Sequence, residues 1–346
     1  MSRLGPEPVV AWRRVALGGT LALLIAAGVV LVIGNSAGFA ALEDTLRSGD
    51  PAWLLVCAAG QLLVFAGYGG VYRRAVKFEE GPRIGWALSL RVVMASFGLT
   101  QLVAAGGAAA LAVTYWALRR LGFGTRDAGV RLIGLNTLVY LVFGLGGFGA
   151  ALAALVTSTA PLAMTLPWVV VIPAMLVAAR WFTAPRRVAD WTAPARGWFR
   201  RALALGVGGA WWVRRAVGSP EAGVPLLCWA ALYWLGDVAS LWGALHAFGA
   251  DPGLAALLLA YTTGYVAQIT PLPFVATGGV DAATTFALTA VGVPLEQALV
   301  GVVAHRLFAF WLPLVPGLTL AALLPRTGRL LERAAKQSTL VTVTGR

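Results

Sequence analysis

Four stretches of this chain, residues 15–34, 51–72, 132–156 and 223–245, each run for twenty residues or more and share a single charged side chain, Asp237. A helix rises about 1.5 Å per residue, so about twenty apolar residues cross the roughly 30 Å hydrocarbon layer of a bilayer. A spanning helix also satisfies its own backbone polar groups, which no other arrangement of such a run does in lipid. Composition agrees: 59% of the 346 residues are apolar and 12% are charged, against about 45–50% and about 25% in soluble domains. A soluble enzyme, a disordered chain and a disulfide scaffold are excluded. The sequence predicts an all-α polytopic integral membrane protein, with a single transmembrane domain over residues 1–336 and a flexible tail at 337–346. Residues 15–34 are too long for a secretory leader and lack a clear small-residue cleavage site, so they read as a retained first span.

Basic residues order the spans, because cytoplasmic loops are enriched in lysine and arginine. Arg3, Arg13 and Arg14 precede the first run, whereas Glu43, Asp44 and Asp50, with only Arg47 among them, follow it. Arg73, Arg74, Lys77 and Arg83 follow the second run. Basic residues also stand on both sides of the apolar stretch 84–116, which is hard to reconcile with one crossing. If that stretch enters and leaves from the cytoplasm as two half-helices, all of the 27 lysines and arginines except Arg47 and Arg306 fall on one side. The order that results is about six full crossings plus two broken, re-entrant hairpins, with both termini cytoplasmic, in the cytoplasmic (inner) membrane. The net charge of +13 is therefore a matter of topology. Residues 180–215 form a basic amphipathic cytoplasmic segment in which Arg186, Arg187, Arg196, Arg200, Arg201, Arg214 and Arg215 interleave with Trp191, Trp198, Trp211 and Trp212. That pattern suits a helix at the headgroup level, and no nucleic acid partner is expected.

The two broken stretches share a pattern. Gln101 leads into Gly106-Gly107, a short helix to Leu121-Gly122, then Asp127-Ala128 and a long span. Gln268 leads into Pro271, Pro273 and Gly278-Gly279, a short helix to Val291-Gly292, then Gln297-Ala298 and a long span. One constant offset relates Gly122 to Gly292, Asn136 to Arg306 and Tyr140 to Phe310. The loop after the first short helix holds Arg119, Arg120 and Arg126, whereas its counterpart holds only Glu296. Charge bias thus puts the copies, about 84–156 and 253–324, on opposite faces. That is an inverted-topology repeat, the arrangement in which transporters build a mid-membrane site from discontinuous helices. Kinked ordinary helices with glycines for close packing are the alternative.

Asp237, Asp281 and Arg306 sit deep in spans, with His305 beside the last. A charge at the bilayer centre costs at least about 2.5–3.5 kcal/mol, so it faces a partner or a cavity. Asp281 opens the short helix after Gly278-Gly279, where a carboxylate meets free N–H groups and the positive end of the dipole. Arg306 is its expected counter-ion, either holding helices together or binding an anionic headgroup in the guanidinium fork. Half-helix starts near Gly107 and Gly279 would add N–H donors. Arg91, Gln101 and Gln268 are softer candidates, which line the cavity or only snorkel and bond neighbouring helices. The two cysteines, Cys57 and Cys228, read as small packing residues, and two histidines make no metal set. No nucleophile elbow, P-loop or zinc motif appears, so no catalytic residue, metal or cofactor is expected.

The final third resembles the lysylphosphatidylglycerol synthase transmembrane family, whose members include the flippase half of the multiple peptide resistance factor. The resemblance rests on Pro271-Leu272-Pro273, Gly278-Gly279, Asp281, Val291-Gly292-Val293-Pro294, Ala298, His305-Arg306, Trp311-Leu312-Pro313 and Pro316-Gly317. It is strongest over residues 260–325 and is supported by 106–128. It implies an all-helical membrane fold with broken helices, and movement of a lipid between leaflets. By position, Asp281 stands where the family usually has glutamate, and Arg306 matches its last-span arginine. Gly106-Gly107 lacks the usual flanking proline and acid, and Phe274-Val275-Ala276-Thr277 replaces a tighter turn. No soluble aminoacyl-transferase domain follows in this sequence, so lipid aminoacylation is not expected of it. The reading is a flippase-like transporter of a polar or anionic lipid, phospholipid or polyprenyl-phosphate, with Asp237 as a proton or charge relay. The alternatives are a scaffold subunit of a lipid- or wall-modifying system, and an integral-membrane glycosyl or acyl transferase. A homo-oligomer or a membrane-enzyme partner fits either.

Overall fold

The computed structural model of the protein describes residues 49–102, 108–192, 197–269 and 279–344. The expected first span at 15–34 lies outside them. Helix α1, Pro51–Lys77, starts where the Asp50 carboxylate accepts a 2.8 Å bond from the Ala52 amide and Pro51 leaves no amide unsatisfied. Two half-helices follow, α2 (Trp86–Leu102) and α3 (Ala108–Arg120), and then the long α4 (Thr125–Thr157). Helix α5 (Leu162–Phe182) is peripheral, with Leu162, Val170, Met175 and Val177 exposed as on a lipid-facing surface. The short α6 (Pro185–Thr192) and α7 (Trp198–Val217) lead to α8 (Gly223–Ala247). Next come α9 (Leu254–Tyr265) with a 3-10 turn Val266–Ile269, and α10 (Val280–Ala290). The chain continues through α11 (Leu295–Arg306), a π-turn Leu307–Trp311, α12 (Leu312–Ala322) and α13 (Leu324–Thr344). Among the described residues, α1, α4, α5, α8 and the continuous segment 295–322 are long and apolar enough to cross a membrane.

The constant offset between the two copies is written into the backbone. After α3, Gly122 has φ 92° and the Phe123 amide donates to the Leu118 carbonyl; after α10, Gly292 has φ 95° and Val293 donates to Leu288. Ala128 bonds back to Gly124 at the start of α4 as Ala298 bonds back to Pro294 at the start of α11. The correspondence reaches α1 and α8, which end at Lys77 and Ala247 and are followed by left-handed Glu79 and Gly249. These two helices are antiparallel. The Asp50 amide before α1 donates to the last residue of α8, Ala247, at 2.9 Å, and Gly70 near the end of α1 lies against Trp229 near the start of α8. Equivalent helices that run oppositely make the copies an inverted pair. The copies interlock: α2 packs on α12 of the other copy, and α9 packs on α4.

Small residues permit these crossings. A Cβ on Gly60 would stand 2.5 Å from the Gly236 carbonyl oxygen, and one on Gly236 would stand 2.7 Å from that of Gly60. Gly98 and Gly317 do the same for α2 and α12.

The structure amends the sequence reading in two places. The last span is widened by a π-turn, where Pro313 has no amide to offer and the Leu312 amide reaches five residues back to Leu307. The wide turn begins directly after Arg306. In the basic segment, α7 keeps Trp198 and Phe199 exposed, but its second half docks on α4 through Gly208, Gly209 and Trp212. Trp212 is buried against Gly134 rather than lying at a surface. Helix α13 runs through Thr344.

Candidate functional site

Asp281 lies in the first turn of α10, where the helix dipole favours an anion. Its Oδ2 is 3.3 Å from Nε of Arg306, at the end of α11. Each side chain keeps 25% of its surface exposed, so the pair is half-buried. The Arg306 guanidinium also stands 5.0 Å from the Phe310 ring centre, inside the π-turn.

One residue earlier, His305 faces another acid. Its Nε2 is 3.6 Å from Oδ1 of Asp237 on α8, and its Nδ1 is 3.1 Å from the Ser240 hydroxyl one turn further along α8. Here exposure falls to 13% for His305 and 15% for Asp237. Asp237 accepts a 2.8 Å bond from Nε2 of Gln61 on α1 and a further bond from the Tyr261 hydroxyl on α9. The Ser240 hydroxyl also lies 3.1 Å from Sγ of Cys57 on α1. Four helices thus converge on one acid–imidazole pair, and the next side chain on α11 holds a second acid.

A wall of rings closes the α4, α8 and α9 side. Phe143 lies 4.5 Å from Trp234 and Trp234 5.1 Å from Tyr265, with Tyr261 5.7 Å beyond. The Trp234 indole donates to the Val139 carbonyl at 2.7 Å. The charges belong to one copy. At the positions equivalent by the same offset to Asp237, Asp281, His305 and Arg306 stand Gly67, Leu111, Leu135 and Asn136. Asn136 donates to its own helix at Leu132.

Of the residues expected at the site, Asp237, Asp281, His305 and Arg306 come together, and Gly279 precedes the helix that carries Asp281. Arg91 is on the exposed surface of α2 and, among the described residues, makes no ion pair with this cluster. Gly106, Gly107, Pro271, Pro273 and Gly278 lie outside the described residues, as do the side chains of Gln101 and Gln268. Sequence reasoning passed over Gln61, Ser240 and Tyr261 and read Cys57 as packing. Their signal was a polar atom inside an apolar run, which needs a bonding partner when buried.

Long apolar helices arranged in two inverted copies, with opposed charges gathered in one of them, define an all-α polytopic membrane protein. The sequence model described as the lysylphosphatidylglycerol synthase TM region matches residues 19–317, and the protein belongs to that family. No individually curated protein matches the chain.

Proposed function

We propose that this protein is a flippase-like transporter that passes an anionic lipid, of phospholipid or polyprenyl-phosphate type, between leaflets of the cytoplasmic membrane. The observation that carries this reading is the half-buried Arg306–Asp281 pair in the first turn of α10. An unpaired charge at that depth costs at least about 2.5–3.5 kcal/mol, so Arg306 needs an anion at every stage. Asp281 supplies it at rest. A lipid phosphate can take the guanidinium fork with two oxygens, competes with the Asp281 contact at Nε and displaces it, and release restores the pair. Membership of a family tied to lipid chemistry supports a lipid as the molecule handled. The inverted copies supply two related packings for the polar site to face either leaflet.

Reconstitution in vesicles with a headgroup-anionic fluorescent phospholipid tests the reading. Arg306→Ala is expected to slow wild-type translocation at least about tenfold, the loss of roughly one strong charge-assisted contact. Arg306→Lys is expected to fall between, since an ammonium cannot fork. Wild-type rates in Arg306→Ala would remove Arg306 from the pathway.

A further inference from the structure

We infer that His305 is a proton site coupled to the anion site, so that the anionic headgroup enters together with one proton held between Asp237 and Ser240. This rests on the function proposed above and names its coupling ion.

The geometry assigns the parts. Asp237 accepts hydrogen bonds from Gln61 and Tyr261, which hold it as an acceptor and leave its remaining capacity toward Nε2 of His305. Nδ1 of the same imidazole faces a hydroxyl, which donates or accepts with equal ease. With His305 neutral and its hydrogen on Nε2, the Ser240 hydroxyl donates to Nδ1. When a proton from solution binds Nδ1, the hydroxyl turns round to accept it, and its own hydrogen is free for Cys57 Sγ, 3.1 Å away. At Nδ1 both protonation states therefore have a partner with no change of backbone, while Nε2 keeps its 3.6 Å ion-pair contact with Asp237.

Charge supplies the coupling. The groups facing His305 are Asp237 and, through Ser240, Cys57, with Tyr261 behind Asp237, Asp281 on α10, and Arg306 on its own helix. With both carboxylates ionised and Arg306 cationic, a neutral imidazole leaves the cluster with an excess negative charge, which opposes an incoming phosphate. A protonated imidazole removes that excess. Linkage then requires that the headgroup bind more tightly with the proton present and that its binding draw a proton in. Affinity falls as pH rises through the imidazole titration.

The test is calorimetric titration of short-chain phosphatidylglycerol into the detergent-solubilised protein, in buffers of different ionisation enthalpy. Near neutral pH the wild-type protein is expected to take up a fraction of a proton, approaching about one, per lipid bound, with weaker affinity at about pH 8.5 than at about pH 6. His305→Gln is expected to bind the lipid with no uptake and a flat pH dependence. Binding by the wild-type protein without proton uptake overturns the inference and leaves the lipid reading intact, and this arm needs no variant to fold. Uptake that persists in His305→Gln also overturns it, because the proton then sits elsewhere. No lipid binding at all overturns both readings. Inorganic phosphate is expected to bind at least about tenfold more weakly; equal binding overturns the assignment of the anion to a lipid.

Discussion

Asp237 accepts hydrogen bonds from Gln61 and Tyr261 on two other helices and lies 3.6 Å from Nε2 of His305 on a third. Replacing it with leucine leaves those polar groups buried with nothing to accept from them, a loss of about 1–3 kcal/mol for each orphaned partner. We expect Asp237→Leu to lower the thermal midpoint in detergent sharply. Asp237→Asn is expected to lower it less, because the amide oxygen still accepts from Gln61 and its NH2 group can donate to the tyrosine oxygen. Equal midpoints for the two variants would show that the bonds around Asp237 contribute nothing to stability. The acid itself is legible in sequence, as the single charge in an otherwise uncharged run. Its partners Gln61 and Tyr261 are not, because a glutamine and a tyrosine in apolar runs face a neighbour or lipid according to how the helices are rotated. Arg131 shows the same limit. A basic residue near the start of a long span, it is buried, donates to the carbonyls of Ala75 and Phe78 at the end of α1, and pairs with Asp127.

Among the elements, α1 and α8 depend on touching backbones. A methyl on Gly236 meets the Gly60 carbonyl oxygen and the Val64 amide, neither of which can swing aside as a side chain would. Gly236→Ala is expected to destabilise by about 1–3 kcal/mol, as overpacking does. Gly206→Ala on α7 is the contrasting case, since nothing lies within 4 Å of its added carbon. That substitution is expected to be neutral or to stabilise by up to about 1 kcal/mol, through the cost of glycine in a helix. Thermal unfolding of the two variants side by side checks both, and a stable Gly236→Ala would mean that the helices do not cross so closely. Long elements were legible from uncharged length alone. The π-turn was not, because Pro313 announces a disturbance without saying whether the helix stops, kinks or widens. Here the segment widens and stays continuous, so His305-Arg306 ends one regular helix directly before the wide turn.

For the whole molecule, inversion of the copies is expected to put equivalent turns on opposite faces of a membrane. Arg126 and Glu296, equivalent positions in the two copies, follow the left-handed glycines of the two turns. In a background with Cys57 and Cys228 replaced, Arg126→Cys and Glu296→Cys are expected to react with a membrane-impermeant maleimide from opposite sides of sealed vesicles. Reaction from one side would contradict the inversion. By itself the sequence determined that the chain is helical, that it lies in a membrane, that it is built twice over and that it carries a few charges at depth. Those properties follow from hydropathy, length and charge placement, which act along the chain and need no knowledge of what packs where. The Asp281–Arg306 pairing was already expected from the sequence; tertiary structure alone decided that Asp237 turns to His305, and which residues of other helices surround that pair. Such pairings depend on the rotation and depth of helices far apart in sequence, set by glycine contacts a few ångströms across.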